Sequence, residues 1–136
     1  MILGILAAVA APKLLDTSSN ASDNGIRQTL AIVRDAIERY AAENGGTLPG
    51  DLLTQADFTA DLKEFIRGPF PTCPVAKKDN SVKVSNDNSG TPIVGEAGPV
   101  FSASWHYNFA TGEFIVNSTA TTNNDDDLAT LQYDQL

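Results

Sequence analysis

The chain has 136 residues, enough for one small domain plus one extended element. Its 17 acidic residues outnumber 9 basic ones, for a formal charge of -8 and a pI near 4.3, and no basic stripe interrupts the excess. Nucleic-acid phosphates would be repelled by such a surface, and the single cysteine, Cys73, excludes an internal disulfide.

The first element is apolar, from Met1 to Ala11, and is interrupted at Pro12. As a helix it would rise only about 16 Å, whereas a bilayer core asks for roughly 20 residues. It also lacks the charged lead and small-residue cleavage site of a secretory signal. A greasy helix open to water on every side would aggregate, so it must be buried either in a membrane with further residues upstream or against copies of itself. Pro12 has no amide hydrogen and clashes one turn back, so the helix is expected to kink or open there, and Gly4 weakens the same stretch. An ordinary kink and a segment that melts under tension both fit.

The stretch from Asp16 to Gly25 is poor helix material, because its Asp, Ser, Thr and Asn side chains compete for backbone hydrogen bonds. Ser22 or Asp23 could cap a second helix, but packing by neighbours favours a continuous one. Then Ile26, Leu30, Val33, Ile37, Tyr40 and Ala41 recur at steps of three and four, the spacing of one helix face. Arg27, Gln28, Arg34, Asp35, Glu38, Arg39 and Glu43 fall on the other positions, a face for water or for a neighbouring chain. Asn44-Gly45-Gly46 ends the helix and Leu48-Pro49-Gly50 turns the chain.

A short helix is expected from Asp57 to Ile66, capped by Asp57 or Thr59, with Phe58, Leu62, Phe65 and Ile66 on its apolar side. From Gly68 to Val75 three prolines stiffen an extended segment, in which Cys73 reads as a small buried apolar side chain rather than a reactive thiol. A strand is expected from Ser81 to Val84, and a polar loop from Asn86 to Gly90 leads to a Gly/Pro-rich connection. The clearest strand signal runs from Val100 to Phe109, followed by the turn Ala110-Thr111-Gly112 and a partner strand from Glu113 to Asn117. Alternation puts Ala103, Trp105 and Tyr107 on the face toward the helix stripe, and Ser104, His106 and Asn108 on a polar face. His106 there reads as a surface or filament-contact histidine. Ser104 and His106 share that face, but neither an orienting acid nor a nucleophile elbow accompanies them, so no catalytic site is expected.

The tail, Ser118 to Leu136, is rich in Thr, Asn and Asp and reads as a solvated, partly mobile terminus. Asp125, Asp126 and Asp127 are weak metal candidates, since clustered carboxylates suit a hard cation such as calcium, but the glycine and distal glutamate of an EF-hand loop are missing. No other cofactor pattern is present.

The opening run carries a resemblance. Gly4-Ile5-Leu6-Ala7-Ala8-Val9-Ala10-Ala11-Pro12-Lys13-Leu14 is similar to the second half of the N-terminal segment of type IV pilins and type II secretion pseudopilins. Tyr40 to Pro49, the proline segment and Trp105-His106-Tyr107-Asn108 through Glu113 resemble the same family more loosely. The resemblance implies an α+β, pilin-like fold: a long N-terminal helix, apolar and kinked at Pro12, packed by its C-terminal half against a small antiparallel β-sheet. It divides the chain into a protruding helix (1–25) acting as membrane anchor or filament core, a globular head (26–117) and an acidic tail (118–136). It further implies about ten more residues ahead of Met1, which would bring the run to spanning length.

By the same resemblance the protein is a structural, non-enzymatic subunit of a pilus-like or pseudopilus filament. It would be an inner-membrane precursor that joins a helical homo-oligomer, extracellular or periplasmic, through the pilus or secretion assembly machinery. Ile2, Leu3, Ile5, Leu6, Val9, Pro12, Leu14 and Leu15 would be its filament-core contacts. The family's calcium loop corresponds to Thr91 to Pro99, which holds one carboxylate, Glu96, so calcium is not carried over. Two other readings stay open: a minor pilin or tip adhesin holding a surface ligand or cargo, and a membrane-anchored periplasmic domain.

Overall fold

The computed structural model describes residues 2–122 and 131–136, with side chains from residue 21 onward. Its architecture is α+β. Helix α1 (Ile2–Glu43) is followed by a short helix α2 (Gln55–Asp61), strands β1 (Val82–Ser85), β2 (Trp105–Asn108) and β3 (Phe114–Val116), and a closing 3-10 turn (Tyr133–Gln135). The expected kink at Pro12 and the contacts expected of Ile2 to Leu15 lie outside the described side chains.

Ser22 and Asp23 stand within α1 rather than capping a second helix. Asp23, Ile26, Leu30, Val33 and Ile37 are all buried, so the stripe starts one step earlier than its apolar members do. The helix ends as expected. The Gly46 amide donates back to Ala41 O at 2.7 Å, and Gly45 takes a left-handed φ of 66°, which together form a glycine C-cap.

Helix α2 is shorter than expected and capped elsewhere. Thr54 supplies the cap, its hydroxyl accepting the Asp57 amide at 3.2 Å, and Thr59 instead donates its hydroxyl back to Gln55 O. Asp57 and Asp61 are occupied in accepting the Leu52 and Gly50 amides of the preceding loop, which fixes that loop and sets where the helix can begin. Phe58, Leu62 and Ile66 are buried all the same.

The sheet is mixed, not antiparallel. In strand order β1-β2-β3, β1 pairs parallel with β2, Val82 opposite Trp105, and β2 pairs antiparallel with β3, Trp105 opposite Val116. A two-residue turn can join antiparallel neighbours, but parallel ones need a long crossover, and residues 86–104 provide it. The expected strand from Val100 shrinks to Trp105–Asn108 for the same reason, since Val100 belongs to the crossover and is exposed. Pairing starts where the Ser104 and Trp105 amides both donate to Ser81 O, at 3.1 and 3.0 Å. Both outer edges carry side-chain caps: Gln55 Oε1 accepts the Val82 amide, and Arg34 donates to Phe114 O.

One core joins the helices and the inner sheet face. Phe58 stacks on Tyr107 at a centroid distance of 4.2 Å and Trp105 on Phe114 at 5.2 Å, all four fully buried against Ile26, Leu30 and Val33 of α1. The polar ends of these rings are satisfied. Tyr107 Oη donates to Pro49 O at 2.9 Å, and the Trp105 indole donates to Pro71 O at 3.0 Å, which pins the proline segment to the sheet. Cys73 lies in this core, and burial pushes its thiol up to about 11, as an inert side chain requires.

Phe58→Ala removes the ring that bridges α2 to the sheet and should cost about 3–5 kcal/mol. Urea denaturation followed by tryptophan fluorescence of Trp105 would measure it.

Candidate functional site at the helix–head junction

Where α1 enters the head, its side chains meet the end of the chain. Asp23 occupies the first buried position of the helix stripe among the described side chains, and a carboxylate there is costly unless hydrogen-bonded. Tyr133 Oη donates to its Oδ1 at 2.9 Å. Burial, and then this bond to a carboxylate, raises the Tyr133 phenol well above its ordinary value, so it remains a donor across the physiological range.

Three turns further on, Arg34 spans two segments. Its Nε and Nη2 donate to Phe114 O at 3.1 and 2.9 Å, and its Nη1 to Leu136 O at 3.0 Å. The planar guanidinium thus holds the free edge of β3 and the last residue to the same helix.

The described parts of the expected solvated tail, residues 118–122 and 131–136, return to the core. Thr122 donates its amide to Leu131 O, Tyr133 to Ala120 O and Asp134 to Ser118 O, so residues 118–122 and 131–134 lie side by side. Tyr133 is 4% exposed. A close approach locks this lap to the crossover: a Cβ on Gly95 would sit 2.4 Å from Ser118 N, and the Gly95 amide donates to Asp134 Oδ2. Composition reports the polar residues of this stretch but not the one aromatic ring that anchors it.

The outer sheet face is buried too. His106 is 7% exposed, and Ser104 and Asn108 are fully buried. The expected surface histidine is therefore an interior one, because the 86–104 crossover lies over the polar side of β2. Val94 O sits 3.2 Å from Nδ1 and can only accept, so Nδ1 carries the proton and Nε2 receives the Ser85 hydroxyl at 3.0 Å. Ser104 does not pair with His106; its hydroxyl donates to Asp79 Oδ1 at 2.8 Å, beside a short Ser81 to Asp79 bond. Ser85 and His106 have the hydroxyl–imidazole geometry of a dyad, with a backbone carbonyl in the orienting position where a triad has a carboxylate.

These groups couple folding to pH. Hydrogen bonds from the Ser81 hydroxyl and amide pull Asp79 from 3.8 to about 2, and those from the Ser102 hydroxyl and amide pull Glu96 from 4.5 to about 2. Burial lowers His106 below 6.5.

Among the described residues no three His, Cys, Asp or Glu side chains gather closely enough to hold a metal ion. Asp125, Asp126 and Asp127 lie outside the described residues. Likewise, no helix among the described residues is long and apolar enough to cross a membrane. Set beside known protein families, curated proteins and solved structures, the chain matches none of them.

The sequence put Arg34 on a face for water or a neighbouring chain and offered Asp23 only as one possible cap should the helix break, and it missed Ser85 and Tyr133. One signal was available. The series 23, 26, 30, 33, 37 keeps steps of three and four, which puts Asp23 on the apolar stripe and demands a buried partner for it.

Tyr133→Phe should lower stability by about 1.5–3 kcal/mol, the usual loss for a hydrogen bond to a charged group, as read by urea denaturation. The depressed carboxylates contribute stability that is present above about pH 4 and lost as pH falls toward 2. The depressed imidazole contributes stability that is complete above about pH 6.5 and declines below it, in the same direction. Melting temperature should therefore fall steadily from pH 7 to 2, and Asp79→Asn with Glu96→Gln should flatten the acid limb.

Proposed function

We propose that the protein is a structural subunit of a type IV pilus-like or pseudopilus filament, assembled through its N-terminal helix. The observation that carries this reading is the division of labour along one element. The opening sequence of α1, Ile2 to Ala11, is almost wholly apolar, while the same helix from Asp23 to Ile37 is built into the head. A head clamped to its helix at Arg34 and Asp23 suits a subunit whose head position is set by how its helix packs. Apolar helices leaving such heads can bury themselves only in a membrane or among sister helices. Stacking of identical subunits head to tail, by contacts that do not close a ring, yields a helical fibre.

In this reading Ile2, Leu3, Ile5, Leu6, Val9, Leu14 and Leu15 are filament-core side chains, and Pro12 lets the helix bend among its neighbours. The subunit waits in the inner membrane before assembly machinery draws it into an extracellular or periplasmic fibre.

Leu6→Asp with Val9→Asp should abolish filaments seen by electron microscopy while the head still folds, as judged by Trp105 fluorescence and circular dichroism. Normal filaments from this double variant would refute the proposal.

A further inference from the structure

Arg27 sits one turn after Asp23 on α1, at the same junction, and its environment is unlike that of Arg34. Its Nε and Nη2 are shut off from water and meet no acceptor among the described residues. Two donors that have lost hydration without replacing it are destabilising, and an acceptor brought by another chain would relieve that cost. Beside it opens a recess of about 260 Å³ lined by Arg27, Leu131, Gln135 and Leu136. Two of the other lining groups are already engaged: Gln135 Oε1 accepts the Gln132 amide, and Leu136 O accepts Arg34. A cation with unmet donors, flanked by two leucines, matches a carboxylate on a short aliphatic stem.

We propose that this recess receives an aspartate or glutamate side chain of a second copy of the chain, so that Arg27 is a subunit-docking residue. The inference rests on the filament reading above. Charge complementarity selects the occupant. The chain carries 17 acidic against 9 basic residues, so sister molecules repel one another except where a cation is kept free for them. They also have carboxylates to offer: Glu38 and Glu43 stand exposed on α1 and form no ion pair among the described residues, whereas Asp35 is engaged by Arg39 at 2.9 Å.

The test compares wild type with Arg27→Met and Arg27→Lys, reading critical concentration by sedimentation and fibre morphology by electron microscopy. Melting temperature is read in the non-assembling Leu6→Asp, Val9→Asp background. Arg27→Met should leave the melting temperature unchanged or raised and lift the critical concentration about tenfold or more, the effect of deleting one side of a buried charge pair, with Arg27→Lys between the two. Salt should weaken wild-type assembly and have little effect on what remains in Arg27→Met.

Arg27→Met assembling like wild type would overturn the docking role and leave the filament reading standing. A lowered melting temperature would reveal a partner within the chain and overturn it too. If glutarate raises the melting temperature only when Arg27 is present, while assembly ignores Arg27, the recess belongs to a small carboxylate and the proposal fails. Wild-type chain that never assembles would overturn both readings.

Discussion

Burial of one helix stripe against four aromatic rings is the constraint from which the rest of the head follows. Ile26, Leu30 and Val33 of α1 meet Trp105, Tyr107, Phe58 and Phe114, all almost wholly removed from water. With roughly 25 cal/mol for each Å² of apolar surface covered, rings of this size dominate the cohesion of a small domain that has no disulfide. The stacking also sets positions. Phe58 lies on Tyr107, so α2 must cross the sheet where it does, and the Trp105 indole must find an acceptor, which makes the proline segment part of the core wall.

The second consequence is a three-strand sheet with little exposed edge. The outer strands are short, four residues in β1 and three in β3, and Gln55 and Arg34 take one backbone group on each side. An edge managed in this way discourages association by strand addition. The two arginines at the α1 junction have different fates. Arg34 is satisfied within the chain, and Arg27 is not. The same residue type, seven positions apart on one helix, thus serves internal cohesion in one case, while in the other two donors stay unmet among the described residues.

The reverse of the sheet has the character of a polar second core. Ser104, His106 and Asn108 are buried there, and with the partly exposed Asp79, Ser81 and Ser85 they bond to one another and to the crossover backbone. Such a layer contributes less net stability than an apolar one, but every misalignment leaves a buried donor or acceptor unmet, so it fixes the path of the long crossover. It is also where the fold is exposed to acid, because its carboxylates and imidazole are held in the charge states that neutral pH favours.

Periodicity alone determined that residues 26–40 form an amphipathic helix, that the Gly45-Gly46 pair ends it, that Trp105 and Tyr107 face the core and that a turn near Gly112 returns the chain. Each of these rests on neighbours within a few residues, where side-chain spacing and backbone preference act directly. The parallel pairing of β1 with β2, the burial of His106, the acceptor for Tyr133 and the two carbonyls held by Arg34 were decided by the tertiary structure. Each joins positions tens of residues apart, and a polar side chain reads as a surface residue until the segment that covers it is known. Local spacing reports which face of an element is greasy; only the assembled fold tells which polar groups have been sealed beneath a loop and which, like the Arg27 donors, are left unanswered.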